Sequence, residues 1–432
     1  MNSFYKQLIG LLSPIVTRNK FLSFGFFLTA AQLVSGAFGY LFQILMGRML
    51  TPVDFASFST LMATFMFLGA PMVAMSLLIV RKVSSYKANK TIFMVKPLLI
   101  YIYKFIFILS SIILLTFWIF SAQLMEYLRI NNIIILFIFE SVIILSLFNT
   151  VNSSLLQGMQ KFTLMASLGL AAVVLKIIFS TSFIYFGFGL EGALLGIFVS
   201  MGIIVLACSG LLLIQLPSST CLKQYQFNFS SISKIYPVLA ATVAAAAMTQ
   251  LDMVLVNWYF EPKETGLYAA ASVLGKAILY LPGGLVAVLF PMVSELHSKG
   301  ENGLRIFRQA ILATFVCCGA VCVIYWIFAD NIIALFYGPN YAGAGQILRW
   351  YGFAILPMAL VIIAEQYLIA RGQVLFAWIF LAIAPLQILS IYLWHTELWM
   401  ILLSVGFFGS LLACIGCLLM YINHKSDLIY NY

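Results

Sequence analysis

The sequence predicts an all-α polytopic membrane protein of about twelve transmembrane helices, set out as two six-helix lobes related by a pseudo-two-fold axis along the membrane normal. Three observations carry that prediction. The 432 residues are 63% hydrophobic and only 8% charged, against roughly 45–50% apolar and about 25% charged in soluble domains, so there are too few charges to cover a water-exposed surface of this size. The apolar runs are long enough to cross a hydrocarbon core about 30 Å thick, which takes about 20 helical residues each. The two halves also echo one another. A soluble enzyme is excluded, and little length is left for an extramembrane domain.

Residues 1–20 place Lys6, Arg18 and Lys20 around Leu8, Leu11, Leu12 and Ile15 without a small-residue cleavage site, which reads as an interfacial lead-in helix rather than a cleaved signal peptide. The N-lobe, 21–216, holds six apolar spans at about Phe21–Gly47, Phe55–Val80, Pro97–Ala122, Ile133–Gln157, Phe162–Phe188 and Leu190–Leu216. The polar stretch 217–234 is a cytoplasmic linker. The C-lobe, 235–422, holds six more at about Ile235–Phe260, Gly266–Val293, Ile306–Phe328, Ile347–Ala370, Val374–Trp394 and Leu398–Ile422, followed by a cytoplasmic tail at 423–432.

Twelve spans also sort the charges. With a cytoplasmic N-terminus, 17 of the 23 basic residues fall on inside segments and only Arg48, Arg129 and Lys263 on outside ones, which carry seven acids. That is the positive-inside pattern, and it places both termini in the cytoplasm of a bacterial inner-membrane protein. The net charge of +10 is then a record of topology, not of nucleic-acid binding. Shifted by 210 positions, Leu45–Phe58 lies on Leu255–Tyr268, with Pro52 on Pro262, Asp54 on Glu264 and Phe58 on Tyr268. A six-span unit repeated in one orientation implies lobes related by an axis normal to the membrane. Neither the seven cysteines, mostly within apolar runs, nor the scattered His297, His395 and His424 form a metal-ligand pattern, so no metal or other cofactor is expected.

Six ionisable residues fall inside spans: Glu140, Lys176, Asp252, Lys276, Arg349 and Glu365. Each costs roughly 2.5–3.5 kcal/mol if left facing lipid, so they should face one another or water. At about 1.5 Å per residue, Asp252 and Lys276 lie at similar depth and can pair. Arg349 sits near the outer mouth and Glu365 near the cytoplasmic end beside Arg371. The expected lumen-facing, substrate-binding residues are Lys176, Lys276, Arg349, Gln32 and Asn152, the last two because polar groups share their helix faces. Tyr268, Ser272, Lys276 and Tyr280 recur at intervals of four, one stripe of the eighth span. Asp252 and Glu140 are candidates for ion coupling or charge pairing. Pro71, Pro282, Pro291, Pro357 and Pro385 offer places where helices could bend.

The first outer turn, G-R-M-L-T-P-V-D-F-A at Gly47–Ala56, and F-P-M-V-S-E-L at Phe290–Leu296, resemble the polysaccharide transporter family. These are the Wzx-type lipid-linked oligosaccharide flippases of the multidrug/oligosaccharidyl-lipid/polysaccharide exporter (MOP) superfamily. The resemblance implies a cleft between lobes that opens alternately to the two sides, and a cationic lumen for the anionic head of a polyprenyl-diphosphate-linked oligosaccharide. It implies no enzymatic activity. Its partners would be that lipid-linked substrate, the bilayer and the polysaccharide polymerase machinery. Proton or sodium coupling stays open. So does a second reading, a cation-coupled multidrug and toxin extrusion antiporter of the same fold.

Overall fold

Inside a bilayer every backbone N–H and C=O must find a partner within the chain, and a helix does this alone. The computed structural model follows that rule: its described residues form helices joined by short turns, with no strand among them. It describes residues 20–216, 236–283, 304–371 and 373–430, with side chains for 34–216, 236–283, 305–369, 371 and 373–422.

In chain order the helices are α1 (Lys20–Met49), α2 (Pro52–Ala88), α3 (Val95–Ile119), α4 (Ser121–Leu128), α5 (Ile133–Gly158), α6 (Phe162–Phe183), α7 (Gly189–Gln215), α8 (Tyr236–Tyr259), α9 (Pro262–Lys276), α10 (Leu304–Phe336), α11 (Ala344–Ala370), α12 (Leu375–Leu393) and α13 (Leu398–Tyr430). Setting aside the two-turn α4, one helix stands at each of the twelve predicted spans. Nine stretches of the described residues are long and apolar enough to cross a membrane, and one of these, Phe162–Gln215, contains both α6 and α7.

Three details differ from the sequence reading. The turn between the third and fourth spans contains α4, which ends on Arg129 in the left-handed conformation, while Asn132 accepts a hydrogen bond from the Ile134 N–H (3.0 Å) at the start of α5. The eighth span is not continuous over its described part: α9 stops at Lys276 and passes into a 3-10 turn, Ala277–Tyr280. Pro282 explains the break, because it lacks an N–H and disfavours helix in the residue before it. By contrast Pro71, Pro357 and Pro385 sit inside unbroken helices. Pro291 and the F-P-M-V-S-E-L segment lie outside the described residues.

Packing divides the chain into two units: the described parts of Met1–Leu45, Met75–Ile119 and Phe137–Asn228, and those of Met46–Ala74, Phe120–Leu136 and Phe229–Tyr432. In the first, buried Ser180 of α6 donates to the Ala193 carbonyl of α7 (2.9 Å), and Gly196 leaves the space that lets the two backbones approach. In the second, Gln387 of α12 donates to the Met248 carbonyl of α8 (3.0 Å), and Ser390 meets Ser404 of α13 (2.9 Å). These are the small and polar contacts that hold helices together where lipid offers no hydrophobic drive.

The two echoed turns meet in the second unit. Gly266, at the start of α9, lies flat against the carbonyl of Pro52, the first residue of α2, and any Cβ at 266 would overlap that oxygen. Beside this contact, Phe55 packs edge-on to Tyr341 (6.0 Å) and tilted to Tyr337 (5.7 Å). Because the obstructing atom is backbone, Gly266→Val should destabilise the protein by about 1–3 kcal/mol. A thermal-unfolding midpoint in detergent equal to that of the parent would contradict the contact.

Candidate functional site

The densest polar cluster of the second unit is built around Asp252 of α8, whose relative exposure is 1%. One carboxylate oxygen accepts from the Lys276 ammonium at 3.0 Å. The other accepts from the hydroxyls of Tyr268 (2.8 Å) and Tyr351 (2.9 Å), both fully buried, with their rings edge to face at 5.6 Å. Three helices supply these groups: α8 the acid, α9 the lysine and Tyr268, α11 Tyr351. Gly275 lets Tyr351 in, since a Cβ there would fall on its ring. The acid is thus saturated, while Lys276 keeps 13% of its side chain accessible.

Lys276 is also the residue at which α9 breaks. A broken helix frees carbonyls, and within a membrane those must be taken up by side chains. Tyr325 of α10 donates to the Leu274 carbonyl (2.8 Å), and the Cys318 thiol reaches the Ile278 carbonyl (3.8 Å). A lysine at a discontinuity in a membrane helix, beside a sealed carboxylate, is the arrangement transporters use to meet a charged cargo at mid-membrane depth. The predicted stripe is only partly a stripe: Tyr268 and Ser272 are buried, whereas Tyr280, past the break, is 62% exposed.

In the first unit, Lys176 of α6 sets its ammonium over the face of Phe42, 4.2 Å from the ring centroid. Among the described residues no carboxylate pairs with it. A cation–π contact orients the ammonium without neutralising it. Asn152 is fully buried and spent within the protein: its amide bonds Tyr103 of α3 and Ser209 of α7 (3.0 Å to the serine), and Tyr103 in turn meets Ser209 at 2.7 Å. That triad ties three helices together, so Asn152 positions helices in this conformation rather than facing a lumen, which corrects its expected role.

Arg349 pairs with Asp330, joining the end of α10 to the start of α11, and is about one-third exposed. Glu365 is buried on α11. The Gln32 side chain lies outside the described residues. The cluster therefore unites Asp252 with Lys276 and leaves Lys176, Arg349 and Asn152 elsewhere. The sequence reading missed Tyr351, the phenol that completes the Asp252 cluster. It also missed a second constellation, in which Arg129 donates to the carbonyls of Trp258 (2.8 Å) and Phe260 at the end of α8. Asn257 returns a bond to the Leu128 carbonyl at the end of α4 (3.2 Å), and Tyr127 stacks on Trp258 at 4.3 Å. Each segment satisfies the orphan carbonyls of the other's helix, and the guanidinium also meets the negative end of the α8 dipole.

Removing one member of a buried ion pair leaves the other charge uncompensated, at about 3–5 kcal/mol. Lys276→Met should therefore lower the unfolding midpoint sharply, and adding Asp252→Asn to it should restore most of the loss. A single variant as stable as the parent would show that the pair is not sealed.

No curated protein sequence matches this chain. Solved structures do. A multidrug resistance MATE family transporter of the MOP superfamily in an inward-facing conformation superposes with a TM-score of 0.78 at 14% identity, covering 91% of this chain and 95% of its own. The lipid II flippase MurJ, in an inward closed conformation, gives 0.70 at 17% identity, covering 94% and 89%. A MOP superfamily transporter from Pyrococcus furiosus gives 0.64 at 14% identity, covering 93% and 95%. The fold is that of MOP-superfamily transporters. A family model described as polysaccharide biosynthesis protein matches residues 22–297, and the chain accordingly belongs to the polysaccharide biosynthesis protein family.

Proposed function

We propose that this protein is a flippase that moves a polyprenyl-diphosphate-linked oligosaccharide, an O-antigen or capsule-type repeat unit, from the cytoplasmic to the outer leaflet of the bacterial inner membrane by alternating access. One observation carries the reading: the accessible intramembrane charge is cationic. Asp252 is closed off by three donors, whereas Lys276 stays partly accessible and Lys176 rests on a ring with no described counter-ion. An anionic head group is the natural complement of such ammonium groups, which bind phosphate as point charges. The family match and the likeness in fold to a structure described as a lipid II flippase support the same cargo class.

The energetics agree. A polar head cannot cross hydrocarbon unaided, but a cleft open sideways passes the head while the polyprenyl tail stays in lipid. Moving roughly two negative charges outward against an inside-negative potential of about 100 mV is favourable by about 4–5 kcal/mol. The rival reading, a cation antiporter, needs an available carboxylate where this chain has a saturated one. One structural relative carries the printed description of a reversed-polarity binding pocket suggesting a different function, so pocket polarity is a sensible basis for separating the two readings.

In liposomes carrying a polyprenyl-diphosphate-linked oligosaccharide, the parent should move the glycan to the opposite leaflet, followed by its accessibility to an added lectin. Lys176→Ala should slow this about tenfold or more, the size of one lost charge-assisted contact, with normal protein abundance. Efflux of a cationic dye with no glycan movement would favour the rival. The Arg129 and Asn257 constellation lies at the end assigned to the outside, so it must open for release. Cysteines replacing Tyr127 and Trp258 should, when joined as a disulfide, arrest glycan movement, and reduction should restore it. Full activity in the cross-linked protein would exclude that opening.

A further inference from the structure

Glu140 is used by nothing described above. It lies on the buried stripe of α5 formed with Leu136, Phe139, Ile143 and Leu147, and its relative exposure is 0%. Neither carboxylate oxygen has a hydrogen-bond partner. Asp252, equally buried, has three donors; Glu140 has none.

The helices packed on α5 in its own unit leave it alone. α2 meets α5 through Ser76 and Ser154 (2.8 Å) and through Val83 at Gly158, α3 through Tyr103, and α7 through Ser209 at Asn152 and Gly202 at Leu145. Their ionisable groups are Arg81, Lys82, Tyr86 and Lys87 on α2, Tyr101, Tyr103 and Lys104 on α3, and Glu191 and Cys208 on α7. Asp54, at the far end of α2, is bonded to Thr51 (2.8 Å). The Tyr103–Asn152–Ser209 contact sets the register: Glu140 stands twelve residues from Asn152, about 18 Å along the axis, so the α3 group and Cys208 lie about that far away and the α2 cations farther. Glu191 lies about 9 Å beyond it in the other direction by the same rise. On α6, packed on α7, Lys176 is held over Phe42.

A carboxylate sealed in this way, with no donor and no counter-charge, is too costly to keep ionised and takes up a proton instead. A bare metal cation cannot substitute, because hard cations need a cage of oxygens and the stripe offers hydrocarbon. We propose that Glu140 is a proton-binding site that couples transport to a proton gradient. The carboxylate takes a proton from water when its surroundings are open to one side, the sealed state carries it as the neutral acid, and the O–H bond breaks heterolytically to water when the other side opens. One proton moves per cycle and no electron is transferred. The coupling rests on the flippase reading; the proton site does not.

The test uses full-length protein in liposomes and Glu140→Gln, which keeps the shape and neutrality of the protonated acid and should unfold at the parent's temperature or above. In substrate-free infrared difference spectra, the parent should show a protonated-carboxyl band that persists at neutral pH, and Glu140→Gln should lack it. With lipid-linked oligosaccharide, an imposed proton gradient should accelerate the parent by up to about tenfold per pH unit and leave Glu140→Gln unchanged. The proposal is overturned if the band survives in Glu140→Gln, if both proteins respond equally to the gradient, or if the parent transports without responding to it. A parent that shows the band but moves no glycan supports the proton site and refutes the cargo.

Discussion

A charge in the membrane interior must be partnered, and the second unit is organised around meeting that demand for Asp252. The acid accepts from Lys276, Tyr268 and Tyr351, and each donor imposes a further requirement. Tyr351 can approach only because residue 275 has no side chain. Lys276 reaches the acid from the last residue of α9, and the carbonyl freed beyond it, that of Leu274, is taken by Tyr325. Removing the acid would leave the glycine, the break and the tyrosines without a common reason. Partly satisfied polar networks are worse than apolar cores, which is why the cluster is complete.

Much of this was legible in the sequence. Apolar run length marked the spans because hydrocarbon thickness leaves one workable length, and depth along the helix brought Asp252 and Lys276 together because rise per residue is nearly constant. What was hidden depends on angle and on distance along the chain. Tyr351 is 99 positions from Asp252, and nothing local marks a tyrosine in an apolar helix as a donor. Arg129 looked like one of three outer cations until the fold set it against the end of α8. Asn152 was misread because a polar cluster on a helix face has the same pattern whether it faces water or a neighbouring tyrosine. The break at Lys276 was half visible: Pro282 announced a bend, but not that the helix stops six residues earlier.

The two units handle charge in opposite ways. The second neutralises its pair in place and can be sealed at little electrostatic cost. The first carries Lys176 without a described counter-ion and Glu140 without a donor, so its charge state must change with its surroundings. Phe42 lets the lysine keep its charge while unpaired, since a ring face offers attraction without an anion's commitment. A cation that is oriented but not neutralised can exchange its contact for a phosphate, whereas a lysine locked to a carboxylate must first give one up. On this reasoning Lys176 is the more readily recruited of the two, and Lys276 responds only to a ligand strong enough to compete with Asp252.

The reciprocal caps at α4 and α8 fit such a cycle by their size. Arg129 contributes charge-assisted bonds to two carbonyls, Asn257 one neutral bond, and Tyr127 on Trp258 an aromatic stack. Bonds of these kinds contribute about 1.5–3 and 0.5–1.5 kcal/mol net, and the stack about 0.5–1.5 kcal/mol, so the whole contact is worth roughly 3–6 kcal/mol. Shifting a two-state equilibrium from 1:99 to 99:1 takes about 5.5 kcal/mol. A contact of that strength holds one conformation firmly in the absence of cargo, yet remains within what a charged ligand's differential binding can overcome. A larger apolar seal would be permanent, and a single surface ion pair, at about 0–1 kcal/mol, would close nothing.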